Sequence, residues 1–202
     1  QFYLDSLGNM YAWNISYMTR NPDNIDRLFT FDSECKLIES RIRLPHQDPF
    51  AQRFYDYGGT VLVEPSKLDY DIFEIVDGHI RTKYTIDFGP HSIPEKYHSQ
   101  HIEHKSDPDL MERIGGSGGF YYVSYPIESK DFFVFEATRL QQLYSFLYDK
   151  QLKNCYCMPY DKQDPFKFIL ARGYMDDRFF GLVEAPHFLN RLENIDPEKK
   201  EE

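Results

Sequence analysis

Asp71-Ile72-Phe73-Glu74-Ile75-Val76-Asp77-Gly78-His79-Ile80-Arg81-Thr82-Lys83-Tyr84-Thr85-Ile86-Asp87-Phe88 reads as two β-strands around a tight turn. Ile72 to Val76 is rich in β-branched and aromatic residues, which suit a pleated, half-buried surface. Asp77-Gly78 tolerates the positive φ values of a two-residue hairpin turn. Beyond it, Ile80, Thr82, Tyr84, Ile86 and Phe88 alternate with His79, Arg81, Lys83, Thr85 and Asp87. That period of two predicts a sheet with one apolar face.

Two other segments share this plan of an apolar run, an Asp, a short turn and a further β-run. They are Arg27-Leu28-Phe29-Thr30-Phe31-Asp32 and Leu143-Tyr144-Ser145-Phe146-Leu147-Tyr148-Asp149. Asp32 and Asp77 lie 45 positions apart, and Asp77 and Asp149 lie 72 apart. A helical insertion of about 25 residues between the latter two restores the first spacing, and a period of about 40–45 residues is that of a four-stranded propeller blade. The shared Asp is expected where the outer strands turn, hydrogen-bonded to its own backbone. Further strands are expected at Thr60–Val63, Gly119–Tyr125, Phe132–Glu136, Leu152–Met158, Phe166–Leu170 and Phe179–Glu184. Helical pattern is confined to about 94–114, ended by Gly115-Gly116-Ser117-Gly118-Gly119, and to about 187–192. The fold class is all-β, a propeller of about four blades over residues 1–196 with a charged tail at 197–202.

Composition agrees. The chain has 17 Phe and 16 Tyr but only 41% hydrophobic residues, as expected where flat rings fill the layers between stacked sheets. With 23 Lys and Arg against 33 Asp and Glu, the formal charge of −10 disfavours a nucleic-acid backbone or anionic membrane as partner. No apolar run is long enough to cross a bilayer as a helix. Three cysteines make no disulfide framework. Cys155 and Cys157 are expected as small, buried or half-buried thiols on one strand face.

The series Asp69-Tyr70-Asp71-Ile72-Phe73-Glu74-Ile75-Val76-Asp77-Gly78-His79-Ile80, Tyr84-Thr85-Ile86-Asp87-Phe88-Gly89 and Ile93-Pro94 resembles a group of six-bladed β-propellers common in Bacteroidota. These are NHL-like in style and mostly of unknown function. Tyr148-Asp149-Lys150 and Met175-Asp176-Asp177-Arg178-Phe179 resemble the later blades of the group, and Phe73 stands where it usually shows Tyr. The resemblance covers about residues 1–195 and implies a cell-envelope location, periplasmic or lipid-anchored, with a lipoprotein leader in many members. About 177 residues outside the insertion make nearly four modules, which points to part of a longer protein lacking early blades, with a compact four-bladed ring as the rival reading. An open arc of blades would leave apolar faces exposed, so the isolated chain is expected to self-associate.

Catalytic patterns are weak. His98, His101 and His104, near Glu95, Glu103, Asp107 and Asp109, form the only metal-like cluster. On a helix His98 and His104 stand about 120° apart, which suits an exposed polar face better than one ion. Asp87-Phe88-Gly89 matches a kinase tripeptide without its companion motifs and reads as a strand end. The glycine run lacks the Lys and Ser/Thr of a phosphate loop. Asn14-Ile15-Ser16 fits a glycosylation sequon. Asp69/Asp71, Asp107/Asp109 and Asp176/Asp177 are paired carboxylates of the kind turns carry. No catalytic residue, metal or cofactor is expected, and the ligand-binding residues are not identified. The leading expectation is a non-catalytic platform that binds a small molecule, glycan or protein. The alternative is a propeller enzyme, a hydrolase or lyase acting on a carbohydrate or other small polar substrate. A third possibility is that the helical insertion docks a partner chain.

Overall fold

The computed structural model describes residues 2–13, 26–43, 54–57, 60–65, 68–97, 109–160, 171–175 and 178–181. They form three four-stranded sheets and one hairpin, each sheet a meander in chain order. The first sheet holds β1 (Phe2–Leu4), β2 (Met10–Trp13), β3 (Asp26–Phe31) and β4 (Leu37–Arg43). The second holds β5 (Phe54–Tyr57), β6 (Thr60–Val63), β7 (Asp71–Val76) and β8 (His79–Thr85). The third holds β9 (Tyr121–Glu128), β10 (Phe132–Arg139), β11 (Gln142–Asp149) and β12 (Asn154–Pro159), and β13 (Ala171–Met175) pairs with β14 (Arg178–Gly181). All pairings are antiparallel, the pattern of propeller blades.

The three aspartates of the repeat occupy equivalent turns, each between the third and fourth strand of its sheet. Their chemistry differs. Asp32 Oδ1 accepts from the amides of Glu34 (2.9 Å) and Lys36 (2.8 Å). Asp149 Oδ1 accepts from those of Gln151 and Leu152, both at 2.9 Å. Asp77 instead takes a φ of 50°, followed by Gly78 at 81°, and closes the two-residue turn with its backbone.

Three apolar layers lie between successive sheets. Tyr11 and Leu28 of the first sheet pack on Val61, Val63, Ile75 and Ile80 of the second. Tyr55, Leu62 and Ile72 pack on Val123, Phe133, Phe135 and Phe146 of the third. Ile127 and Val134 pack on Ala171. Face-to-face stacking of like sheets therefore supplies most of the core.

The expected single apolar face of the 79–88 strand is corrected by a register shift. Ile72 pairs with Tyr84 and Phe73 with Thr82, which leaves Lys83 as an extra residue. A one-residue slip exchanges strand faces. Ile80 thus packs towards the first sheet, whereas Tyr84, Ile86 and Phe88 pack towards the third. Thr82, expected on the apolar side, is exposed.

The expected helical insertion is present at its two ends. A 3₁₀ turn spans Gly89–His91, residues 95–97 are helical, and α1 spans Leu110–Gly116, two residues beyond the expected stop. Residues 98–108 lie outside the described set, as do the predicted strand at Phe166–Leu170 and helix at 187–192. Leu68, Ile93 and Ile114 form a satellite core under the insertion. The Tyr70 hydroxyl pins it, donating to the Phe120 carbonyl (2.7 Å) and accepting from the Ile93 amide (2.8 Å).

The cysteine expectation is also corrected. Cys155 and Cys157 share a strand face, opposite Tyr148 and Phe146, but both are exposed. They sit on β12, the outermost strand of its sheet, where few neighbours remain to cover them.

Candidate functional site

The first strands of successive sheets gather at the hub: β9 touches both β5 and β13, and β13 touches β5. The sequence of β5, Phe54-Tyr55-Asp56-Tyr57, buries Tyr55 and leaves Tyr57 half-buried. β9 is irregular. Tyr122 and Tyr125 have φ values of 56° and 51°, unusual for bulky residues, and two register shifts break its pairing with β10. Pro126, which has no amide hydrogen, follows the second.

Glu64, just beyond β6, is 1% exposed. Its Oε2 accepts from the Tyr55 hydroxyl in a short hydrogen bond and from the Tyr125 amide at 3.3 Å. The carboxylate therefore holds the strained backbone of β9 against the second sheet. Burial, then the charge and hydrogen bond of Glu64, push the Tyr55 hydroxyl far above its ordinary value, so it stays a donor.

Across the hub, Arg172 of β13 reaches back to the third sheet. Its Nη1 donates to Glu136 Oε1 in a short ion pair and to the Ala171 carbonyl at 3.2 Å. Its guanidinium lies 4.0 Å from the Tyr125 ring centroid, within cation–π range. Glu136 is 3% exposed and Arg172 24%. Burial holds Glu136 above the usual carboxylate range against the pull of Arg172. Tyr57 is pushed up by burial and by Glu64, while Arg172 pulls it down. The stacked Tyr55 and Tyr57 rings, 6.3 Å apart, and the edge-on Tyr125 complete the cluster.

Tyr57, Tyr125 and Arg172 are its partly exposed members, and no described residue accepts from Arg172 Nε or Nη2. The arrangement offers ring faces, a tyrosine hydroxyl and the N–H groups of two guanidinium nitrogens beside a cation already paired with a carboxylate. Its hydroxyl–carboxylate pair, Tyr55 and Glu64, is buried. Among the described residues no group of three or more His, Cys, Asp or Glu is arranged to hold a metal ion.

The residues singled out from sequence lie elsewhere. His98, His101, His104, Glu103 and Asp107 fall outside the described residues, as do Asn14-Ile15-Ser16 and Asp176/Asp177, while Glu95 and Asp109 are exposed. Asp69 Oδ1 accepts from the amides of Tyr70 (2.8 Å) and Asp71 (3.3 Å), and Asp71 accepts from Thr85 Oγ1 (2.6 Å). This pair shapes a strand entry. Asp87 accepts from the Gly89 amide at 2.7 Å and Phe88 packs in the aromatic layer, as a strand end requires. None of the six hub residues was singled out. Their signal was a charge inside an apolar run, Val63-Glu64-Pro65 and Phe133-Val134-Phe135-Glu136-Ala137, since such a charge is buried only when paired.

The family model of DUF5128, described as a 6-bladed beta-propeller, matches residues 2–166. The chain belongs to this family. Its sheets also superpose on a crystal structure from Bacteroides fragilis NCTC 9343, described as a "Putative exported protein", with a TM-score of 0.75 at 16% identity. The match covers 100% of this chain and 59% of the Bacteroides protein, so the chain spans 59% of that protein's length. At that identity the likeness speaks for the shared propeller fold. No curated protein matches the chain.

Proposed function

We propose that this DUF5128 chain is a non-catalytic binding platform of the bacterial cell envelope, with its recognition site at Tyr57, Tyr125 and Arg172. The ligand is an uncharged, hydroxyl-rich molecule such as a saccharide. The observation that carries the reading is the state of Arg172: it is paired with Glu136 and laid on Tyr125, with Nε and Nη2 free of described acceptors. A guanidinium already neutralised attracts an anion weakly, and the chain's −10 charge weakens it further. Hydroxyl oxygens can still accept from the N–H groups of Nε and Nη2, and sugar rings fit the apolar faces of tyrosines. The envelope location is supported by the description of the Bacteroides relative, and no described helix is long and apolar enough to cross a membrane.

An enzyme is favoured by one observation, the raised Glu136 carboxyl, since general acids are tuned that way. Arg172 covers that carboxyl, and substrate would have to displace it. A thermal-shift screen of neutral glycans separates the readings. Binding that Arg172→Ala abolishes, with the glycan recovered unchanged, is expected. Glycan cleavage lost in Glu136→Gln would establish the enzyme instead, and no glycan bound at millimolar concentration would overturn the saccharide reading.

A further inference from the structure

We propose that Cys155 and Cys157 form a two-sulfur site for a soft, closed-shell monovalent cation of the Cu(I) type. The pairing register places them. Cys155 lies opposite Tyr148 and Cys157 opposite Phe146, so the two thiols share one face of β12, while Tyr156 turns to the other face with Leu147. Phe146 and Tyr148 belong to the layer between the second and third sheets. The thiols therefore stand at the outer mouth of that layer, and both sheets that bound it are part of this chain. β12 is the outermost strand, on the far side of its sheet from the hub strand β9, and both thiols are exposed.

Spacing decides what the pair can do. Residues two apart on an extended strand are separated by about 6.6 Å along it. A disulfide wants its Cβ atoms about 3.8 Å apart, which such a strand meets only by bending. One ion between the sulfurs fits without that. Two metal–sulfur bonds of about 2.3 Å, set in line, hold the sulfurs about 4.6 Å apart. Among the described residues no group of three or more His, Cys, Asp or Glu surrounds an ion, so a four-ligand metal such as structural zinc is not suited. A pair of soft thiolates instead selects Cu(I). Charge agrees with this. Burial pushes the Cys157 thiol up and the Arg139 cation pulls it down, while burial and then the Cys157 charge push Cys155 up. The two sulfurs thus lie within electrostatic reach of each other, and Cys157 within reach of Arg139. On binding, each S–H gives its proton to solvent, two metal–sulfur bonds form and no electron is transferred. The complex carries one net negative charge, which the Arg139 guanidinium offsets.

Anaerobic titration of the full chain with Cu(I), in competition with a chromophoric Cu(I) chelator, tests this. One ion per chain is expected to leave the chelator, with X-ray absorption showing two sulfur neighbours. Cys155→Ser and Cys157→Ser are each expected to weaken binding by about hundredfold or more, because the second sulfur no longer acts at high effective concentration. Both positions are exposed on an edge strand, so the circular dichroism of the variants is expected to stay native. Cys35→Ser, at an exposed turn of the first sheet, is expected to leave binding unchanged. No transfer of Cu(I) to the native chain would overturn the proposal. So would full retention by Cys155→Ser, or one ion bridging two chains. A disulfide formed within the pair by oxidised glutathione in the folded chain would do the same, because the strand would then have met the shorter spacing.

Discussion

The two complete interblade layers are built from similar sheets yet hold together differently. Between the first and second sheets, Leu28, Val61, Val63, Ile75 and Ile80 surround Tyr11, and a polar tie runs from the Ile80 amide to Glu39 Oε1 at 3.3 Å. Between the second and third sheets the filling is aromatic. Phe135 and Phe146 stack at 4.8 Å and 2°, and Tyr84 stacks on Phe133 at 4.3 Å. Buried charge frames that layer at the hub through Glu64 and at the rim through an ion-pair ladder. In the ladder, Glu74 meets Arg81 and Lys83, and Glu128 meets Lys83 and Lys150, each at 2.6 Å. Aliphatic packing is tolerant of sliding, whereas paired charges and stacked rings lose energy when displaced. The difference teaches that repeated sheets share a design while one interface fixes its register more tightly than the other.

The largest effect expected is from truncating the aromatic layer. Phe135→Ala should destabilise by about 3–5 kcal/mol, and Leu28→Ala in the aliphatic layer by about 2–5 kcal/mol, in urea unfolding. A larger loss for Leu28 would break the comparison. Next, Tyr55→Phe removes a donor from the buried Glu64 and should cost about 1–3 kcal/mol, because the carboxylate remains out of water.

Acid titration sharpens the contrast between hub and rim. Burial alone would raise Glu128, but hydrogen bonds from Lys150, Lys83 and Tyr84 hold it below its ordinary 4.5. Its contribution is therefore present above pH 4.5 and lost as pH falls through the lowered value. Glu136 has the opposite sign: burial raises it, so stability declines as pH rises from 4.5 through the raised value. Denaturant midpoints followed across this range should show Glu128→Gln removing the acid loss and Glu136→Gln removing the decline. Equal slopes in both variants would contradict the assignment.

The smallest effect is expected in the last layer. A Cβ at Gly173 would lie 2.1 Å from the Phe180 ring. That ring is 49% exposed and can turn aside, so Gly173→Ala should shift stability by less than about 1 kcal/mol. A multi-kcal/mol loss in thermal unfolding would show that the hairpin is held more tightly than its exposure implies.

Much of the fold was legible in local chemistry. Asp77-Gly78 and Asp149-Lys150-Gln151 marked real turns, because turn residues act through their own backbone. The extra residue at Lys83 was not legible, since alternation continues through it in sequence while the strand changes face in space. The hub was legible only as charges within apolar runs. Nothing local told Glu64 that its donors would be Tyr55 and the amide of Tyr125, 61 positions away.

By its own periodicity the chain determined that it would fold as repeated antiparallel hairpins with aromatic faces, since hydrogen-bonded turns and strand alternation depend on near neighbours. Which faces meet, which carboxylates are neutralised and where Arg172 points were decided only when the sheets stacked. Those outcomes depend on side chains brought from distant strands into a space with little water.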